Sequence, residues 1–194
     1  MSARIRIGVA LALSVLAADA LAAPKKATPS PPLPEPAPRS AENTGDIAYA
    51  AFQRGYYLTA LAEAQKRVEA NGDPKAMTLI GVIYAGGFGV GQDYAKAVEW
   101  YSKAAERGDR EAMFSLAMMR LSGRGGPRDR DEAARLFASA AKLGQPVAAY
   151  NLGLFYLEGM QFPRDFGRAA ELFRQASEGG NREAQYALAI MYKE

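Results

Sequence analysis

Residues 145–180 read QPVAAYNLGLFYLEGMQFPRDFGRAAELFRQASEGG, and the same pattern recurs in register elsewhere in the chain. It is complete at residues 73–108 (DPKAMTLIGVIYAGGFGVGQDYAKAVEWYSKAAERG) and 109–144 (DREAMFSLAMMRLSGRGGPRDRDEAARLFASAAKLG), and it begins again at residues 181–194 (NREAQYALAIMYKE). The blocks align without a gap, so the period is 36 residues throughout. A constant period of about 20–50 residues is typical of solenoids, propellers and repeat arrays.

Each block is predicted to form two helices joined by a turn rich in Gly or Pro. Capping side chains precede the first helices, at Asp73, Asp109, Gln145 and Asn181. Others precede the second helices, at Asp93, Asp129 and Asp165. Asp129 and Glu132 have the spacing of a capping box. Glycines that favour a left-handed helix end close the blocks, at Gly108, Gly144 and Gly179–Gly180.

Recurring columns predict how the helices pack. The fourth position of a block is always Ala, and the ninth is always small: Gly81, Ala117, Gly153 and Ala189. On the second helix we expect a facing stripe of Ala97/Ala133/Ala169, Trp100/Leu136/Leu172 and Ala104/Ala140/Ala176. One helix pair cannot bury such a face alone, so neighbouring pairs must stack. Residues 45–72 are predicted to form a divergent lead-in pair, with Tyr49, Phe52 and Tyr56 as its aromatic positions.

The block pattern A-x-x-x-L-G-x-x-Y, a turn ending in Asp, and then K-A-x-x-W-Y-x-K-A-A-x-x-G resembles the Sel-one-like repeat. That repeat is a tetratricopeptide-like α-solenoid, and the match covers residues 73–194. One departure is Arg120, which replaces the Tyr found at the same position of the other blocks. The resemblance implies an all-α, right-handed superhelical solenoid with a concave surface. Family members typically serve as adaptors in protein complexes, including exported ones.

The first 44 residues are predicted to lie outside this array. Residues 1–22 resemble a bacterial signal peptide, with Arg4 and Arg6 before an apolar run and a cleavage site after Ala22. The alternative is an uncleaved anchor. Residues 23–44 are Pro-rich and are expected to form an extended linker, with recognition by a partner as the alternative. We therefore expect a periplasmic or secreted protein with no membrane span after cleavage.

Composition argues against most catalytic chemistry. The chain has no Cys and no His, so it lacks a thiolate nucleophile, the commonest general base and the commonest metal ligand. We expect no enzyme activity, no cofactor and no metal site. A β-lactamase-like activity, attributed to some disulfide-bonded relatives, is disfavoured because those relatives have Cys pairs. The formal net charge of +3 is too small to predict binding to nucleic acid.

Two surfaces are candidates for binding. Positions six, seven and ten of the first helices are more apolar than a water-facing side should be. As first helices line the concave wall of such a solenoid, we expect a protein or peptide partner to contact Phe114, Met118, Tyr150, Asn151, Leu154 and Tyr186. The amide of Asn151 could pair with the backbone of an extended peptide. The alternative is that positions six and ten pack between adjacent repeats.

The second candidate is a basic rim of Arg124, Arg128, Arg164 and Arg168. It would suit acidic protein or anionic glycan surfaces, although a solvated ridge is the plainer alternative. The sequence therefore predicts an exported scaffold or adaptor that mediates protein–protein interaction and regulates an envelope or signalling protein. The alternative function is binding of peptidoglycan or an anionic polysaccharide through the rim.

Overall fold

The computed structural model describes residues 46–159 and 161–192. The predicted signal peptide and Pro-rich linker lie outside these ranges. Within them the chain forms nine helices and no strand: α1 (Ile47–Gln53), α2 (Tyr57–Asn71), α3 (Pro74–Gly86), α4 (Tyr94–Glu106), α5 (Arg110–Ser122), α6 (Arg130–Lys142), α7 (Pro146–Glu158), α8 (Phe166–Glu178) and α9 (Arg182–Met191). None of these helices has the length and apolar character needed to cross a membrane. The fold is the all-α solenoid of helix-turn-helix repeats that the 36-residue period predicts.

Each helix packs mainly on the helices before and after it along the chain. The first helices of the repeats are α3, α5, α7 and α9, and the second helices are α4, α6 and α8. Every predicted cap is confirmed: the side chains of Asp73, Asp109, Gln145 and Asn181 accept backbone N–H bonds at the first helices. Those of Asp93, Asp129 and Asp165 do so at the second helices.

The capping box is only half present. The Asp129 carboxylate accepts from the Glu132 backbone N–H at 2.8 Å, as expected. The Glu132 side chain does not return the bond but pairs with Arg135 at 2.8 Å. The Asp129 N–H donates instead to the carbonyl of Arg120, at 2.9 Å. The equivalent bonds join Asp93 to Tyr84 and Asp165 to Tyr156, so this closure of the turn is a feature of the repeat.

A column of buried aromatic rings fills the space between the two helices of each complete repeat. Tyr101, Phe137 and Phe173 are 4%, 0% and 0% exposed. Two of the rings lie on glycines at the small ninth position. A Cβ added to Gly81 would be 2.6 Å from the Tyr101 ring, and one added to Gly153 would be 2.6 Å from the Phe173 ring. The residue at the ninth position is therefore small because the aromatic ring occupies the volume that a larger side chain there would need.

The expected stripe on the second helices is partly wrong. Its alanines and Leu172 are buried, but Trp100 and Leu136 are only half-buried. The core position expected for Trp100 and Leu136 is occupied instead by the aromatic column, whose residues lie one position further along each second helix. In the lead-in pair, Tyr49 and Tyr56 are 51% and 37% exposed and are not core aromatics.

The turn inside each of the first two complete repeats docks on the preceding second helix. The Phe88 ring lies 5.0 Å from the ring of Tyr57, the first residue of α2. In the next repeat, Gly125 has a φ of +75°, and a Cβ added to it would lie 2.4 Å from the carbonyl oxygen of Tyr94, the first residue of α4. These contacts fix each repeat against its predecessor, so successive turns share one edge of the stack.

Arg67 joins the lead-in pair to the first repeat. Its guanidinium contacts the capping carboxylates of two helices, Asp46 of α1 and Asp73 of α3. Burial opposes ionisation of Asp73, but the Lys75 backbone N–H and the Arg67 guanidinium outweigh it and hold the pKa of that carboxyl below its ordinary value. The ion pair between Arg67 and Asp73 therefore persists to lower pH than it would if Asp73 had its ordinary pKa.

The buried Tyr101 predicts a loss of stability at alkaline pH. Burial raises the pKa of its phenol from 10.0 to about 12, although a hydrogen bond with Ser115 opposes the rise. Between these values the unfolded chain loses the proton and the native chain keeps it, so stability falls as the pH rises. We expect Tyr101→Phe to abolish this fall, worth about 2–3 kcal/mol between pH 10 and 12. Urea titrations of both proteins across that range test it, and a pH-independent difference between them would contradict it.

Candidate functional site

Partly or largely exposed apolar side chains lie on the first helices of the last three repeats. We call this set the first-helix strip, and its members are Phe114, Met118, Tyr150, Leu154 and Tyr186. The first four are half-buried, and Tyr186 is 68% exposed. Phe114, Met118, Tyr150 and Leu154 pack against the core and still present apolar surface to solvent.

Core aromatics support the strip from below. The Phe114 ring centroid lies 6.0 Å from that of Phe137, and the Tyr150 centroid lies 5.5 Å from that of Phe173. Such contacts hold rings in defined orientations and lower the entropy lost when a partner binds. Burial raises the pKa of the Tyr150 phenol, and the negative charge of Glu183 raises it further. Glu183 is on α9, so its charge acts on Tyr150 from the next first helix.

Asn151 does not lie on the strip as expected. It is 8% exposed, and its side-chain amide donates to the carbonyl of Val147 one turn earlier, at 2.7 Å. The donor that was expected to hold a peptide backbone is thus used inside α7. Thr78, at position six of the first repeat, also has an internal bond, to the Asp109 carboxylate at 2.9 Å.

The rim arginines differ in their electrostatic partners. Arg168 is paired with Glu171 at 2.8 Å, and Arg124 lies over the ring of Tyr94, 5.5 Å from its centroid. Arg128 and Arg164 are exposed, and the part of the chain that the structure describes places no carboxylate within 4.0 Å of either. Among the described residues of the rim, Arg124, Arg128 and Arg164 are therefore exposed without a salt bridge, and Arg168 is paired with Glu171.

Arg128 and Arg164 occupy the same position of successive turns. The β-carbon of each lies beside a left-handed glycine that follows the first helix, Gly123 for Arg128 and Gly159 for Arg164. Both arginines therefore lie in the turns that follow the first helices.

A separate cleft of about 280 Å³ lies between α4 and α6, above α5. Its charged and hydroxyl-bearing lining residues are Ser102, Glu106, Arg120, Glu132 and Ser139. Arg120, the departure from the repeat pattern, therefore lies in this cleft. In the next repeat the counterpart of Ser139 is Gln175. Its side-chain amide donates to the Ala141 carbonyl of the preceding second helix at 2.6 Å.

The chain contains one Ser-x-x-Lys spacing, Ser139 to Lys142, which is the spacing of some serine acyl-transfer enzymes. The Ser139 hydroxyl donates to the carbonyl of Arg135, at 3.1 Å. A serine nucleophile needs a base within hydrogen-bond reach, and this bond leads to the helix backbone instead. Within residues 46–159 and 161–192, no three acidic side chains are grouped so that they could hold a metal ion.

The repeated helix pair, its capped turns and its side-chain strip define a tetratricopeptide-like α-solenoid, a class of interaction scaffold. The chain belongs to the Sel1 repeat family. The Sel1 repeat model matches residues 74–109, 110–145, 146–181 and 182–194, each beginning one residue after a helix cap. No curated protein has a significantly similar sequence.

Solved structures agree with this assignment. A Sel1 repeat protein from Oxalobacter formigenes is 27% identical with a TM-score of 0.72, over 76% of this chain and 60% of that one. The protective antigen c5321 of uropathogenic Escherichia coli, described as displaying an SLR fold, is 28% identical with a TM-score of 0.65, over 75% of this chain and 33% of that one. The Helicobacter pylori cysteine rich protein B, at 19% identity and a TM-score of 0.52 over 73% and 94%, shares the fold. The chain thus spans 60% and 33% of the first two relatives.

Proposed function

We propose that this protein is an exported, non-catalytic adaptor that holds a protein partner on the first-helix strip and so regulates an envelope or signalling protein. The observation that carries the proposal is the strip itself: apolar side chains supported by the core, with Tyr186 68% exposed. Large exposed apolar side chains on a folded surface mark interaction sites when they are contiguous. The family is one of protein–protein interaction scaffolds, which agrees with this use.

The export proposal rests on residues 1–22, whose basic start, apolar run and small residues before the cleavage site form a signal-peptide pattern. N-terminal sequencing of the protein recovered from the periplasm tests it. A mature chain that begins at Ala23 is the expected result. Recovery of the intact chain in the cytoplasm would contradict export without affecting the strip.

Crosslinking in the bacterial envelope tests the adaptor. We expect wild type to enrich one protein and the double variant Met118→Ser/Tyr186→Ser to lose most of it, because about 1–2 kcal/mol per truncated anchor corresponds to a tenfold or greater loss of affinity. Phe166→Ser is the matched control, since Phe166 is 53% exposed but begins a second helix. Equal capture by all three proteins would refute binding on the strip.

A second candidate function, binding of peptidoglycan or another anionic polysaccharide, is favoured by the rim arginines that have no salt bridge. It predicts that the protein sediments with purified sacculi and dissociates as salt is raised, because screening weakens exposed charge contacts. Reversal of Arg128 and Arg164 to Glu would abolish this sedimentation. Sedimentation that is unchanged by added salt and by the double reversal of Arg128 and Arg164 would contradict binding to glycan through the rim.

A further inference from the structure

The cleft between α4 and α6 is a second binding site, and none of its lining residues belongs to the first-helix strip. We infer that it binds a short peptide of about two residues through both charged ends of the peptide. The ammonium group of the peptide lies at Glu106 and its carboxylate lies at Arg120. Its side chains lie on the apolar lining of the cleft, which consists of Ala105, Met113, Leu116 and Leu136.

The cleft is open because Ser139 is too short to close it. At the equivalent place in the next repeat, the Gln175 side chain crosses from α8 to α6 and donates to the Ala141 carbonyl at 2.6 Å. Ala105 is the counterpart of Ala141 and lines the cleft. Among the described residues, no side chain donates to its carbonyl, since the Ser139 hydroxyl donates within α6 instead. The cleft therefore has both the space and an acceptor for a ligand.

The cleft contains one group of each charge without a salt bridge. Arg120 replaces the Tyr of the other blocks, and the part of the chain that the structure describes places no carboxylate within 4.0 Å of its guanidinium. Glu106 likewise has no described basic group within that distance. The third charged lining residue, Glu132, is paired with Arg135 at 2.8 Å. Arg120 and Glu106 are thus available to a ligand.

These two charges lie at opposite ends of the cleft. Glu106 is the last residue of α4, and a short connection joins it to the start of α5. Arg120 is in the last turn of α5, and a Cβ added to Gly126 in the following turn would lie 3.1 Å from its Nη1 atom. The lining residues of α5 extend from Met113 to Arg120, which is about 10 Å of helix.

This arrangement selects a ligand that carries both charges. A simple anion would be repelled by Glu106, and a simple cation would be repelled by Arg120. A single amino acid has both charges, but they are joined through one carbon and cannot reach both ends. Two extended residues hold their ends about 7 Å apart, which the long Glu and Arg side chains can bridge. The volume of about 280 Å³ is too small for a long segment.

Polar groups on the two walls suit the amide of such a peptide. The Ser139 hydroxyl donates to the Arg135 carbonyl at 3.1 Å and keeps its lone pairs for a peptide N–H. Ser102 supplies a second hydroxyl from α4. Because a buried amide without a partner costs free energy, these hydroxyls favour a peptide over an apolar chain that only has charged ends.

Titration calorimetry of the full chain with apolar dipeptides tests the inference. The panel has Ala, Leu, Met or Phe at each position and free ends. We expect saturable binding that weakens about tenfold or more when the amino end is acetylated or the carboxyl end is amidated, because each change removes a charged hydrogen bond. Binding should also shift the NMR signal of the Met113 methyl group, in the cleft, and leave that of Met118, on the strip, unchanged.

Three variants assign the bound peptide to the cleft. Arg120→Gln should weaken binding of the free dipeptide about tenfold or more and leave the amidated one unaffected, since the amidated peptide has no carboxylate. Ser139→Gln should abolish binding, because it supplies the side chain that closes the equivalent gap in the next repeat. Arg164→Gln is the matched control: Arg164 is exposed without a described salt bridge but is not part of the cleft, so binding should be unchanged.

Other results would overturn the inference. Equal affinity for free, acetylated and amidated dipeptides would mean that Glu106 and Arg120 do not hold the two ends. Binding that survives Ser139→Gln, or that shifts the Met118 signal and not the Met113 signal, would place the peptide outside the cleft. An absence of saturable binding across the panel at millimolar concentration would mean that the cleft is not a peptide site. None of these results affects the adaptor function, which uses the strip.

Discussion

Replacing Phe137 with alanine is expected to lower the free energy of unfolding by about 3–5 kcal/mol. The side chain is 0% exposed, and its ring lies 6.0 Å from those of both Phe114 and Phe155. It is the central member of the aromatic column, so its removal leaves a cavity between α6 and the first helices on either side. Urea unfolding followed by far-UV circular dichroism and by the fluorescence of Trp100, the single tryptophan, measures the loss.

Phe166→Ala is the matched control for that change. The same atoms are removed from a side chain that is 53% exposed, so we expect a loss of less than about 1 kcal/mol. A similar loss in both variants would mean that the aromatic column does not organise the core as described.

The second large effect is expected for Gly125→Ala, which should cost about 2–4 kcal/mol. An alanine at the observed φ of +75° is strained, and its Cβ would be 2.4 Å from the carbonyl oxygen of Tyr94. The added Cβ is fixed to the backbone of the turn, and the atom that it meets is a backbone oxygen of α4. The clash therefore cannot be relieved by rotating a side chain. The turn must detach from α4, which loosens the contact between successive repeats.

Gly108→Ala separates the two contributions to that cost. Gly108 has a similar φ of +84°, but nothing lies within 4 Å of an added Cβ, so only the backbone strain of roughly 1–2 kcal/mol remains. The same denaturation measurement compares the two variants. Equal losses would show that the turn is not held against α4 as the structure indicates.

Much of the fold could be predicted because the evidence for it repeats. A period of 36 residues, a capping side chain at each helix start of the repeats and glycines in the turns are local signals. Every capping residue named from the sequence caps a helix in the structure. The aromatic column was missed although its signal was present. Tyr101, Phe137 and Phe173 recur at the period of the repeat, and each lies between two of the invariant alanines of its second helix.

The surface was harder to predict because partners inside the protein decide which polar groups are available. Asn151 has a side chain that could contact a partner, yet its amide donates a hydrogen bond to the Val147 carbonyl one turn earlier. Arg168 and Arg164 look alike in the sequence, but Glu171 lies three residues after Arg168 on the same helix and pairs with it. Such competition depends on side-chain geometry, which the repeat pattern does not record.

The most direct measurement of the central claim is site-specific photocrosslinking in the bacterial envelope. A photoreactive phenylalanine analogue is placed singly at Tyr186, on the first-helix strip, or at Phe166, on a second helix, where the native side chains are 68% and 53% exposed. We predict a discrete crosslinked protein from position 186 and none from position 166. Crosslinks to the same protein from both positions, or from position 166 alone, would contradict the assignment of the strip as the binding surface.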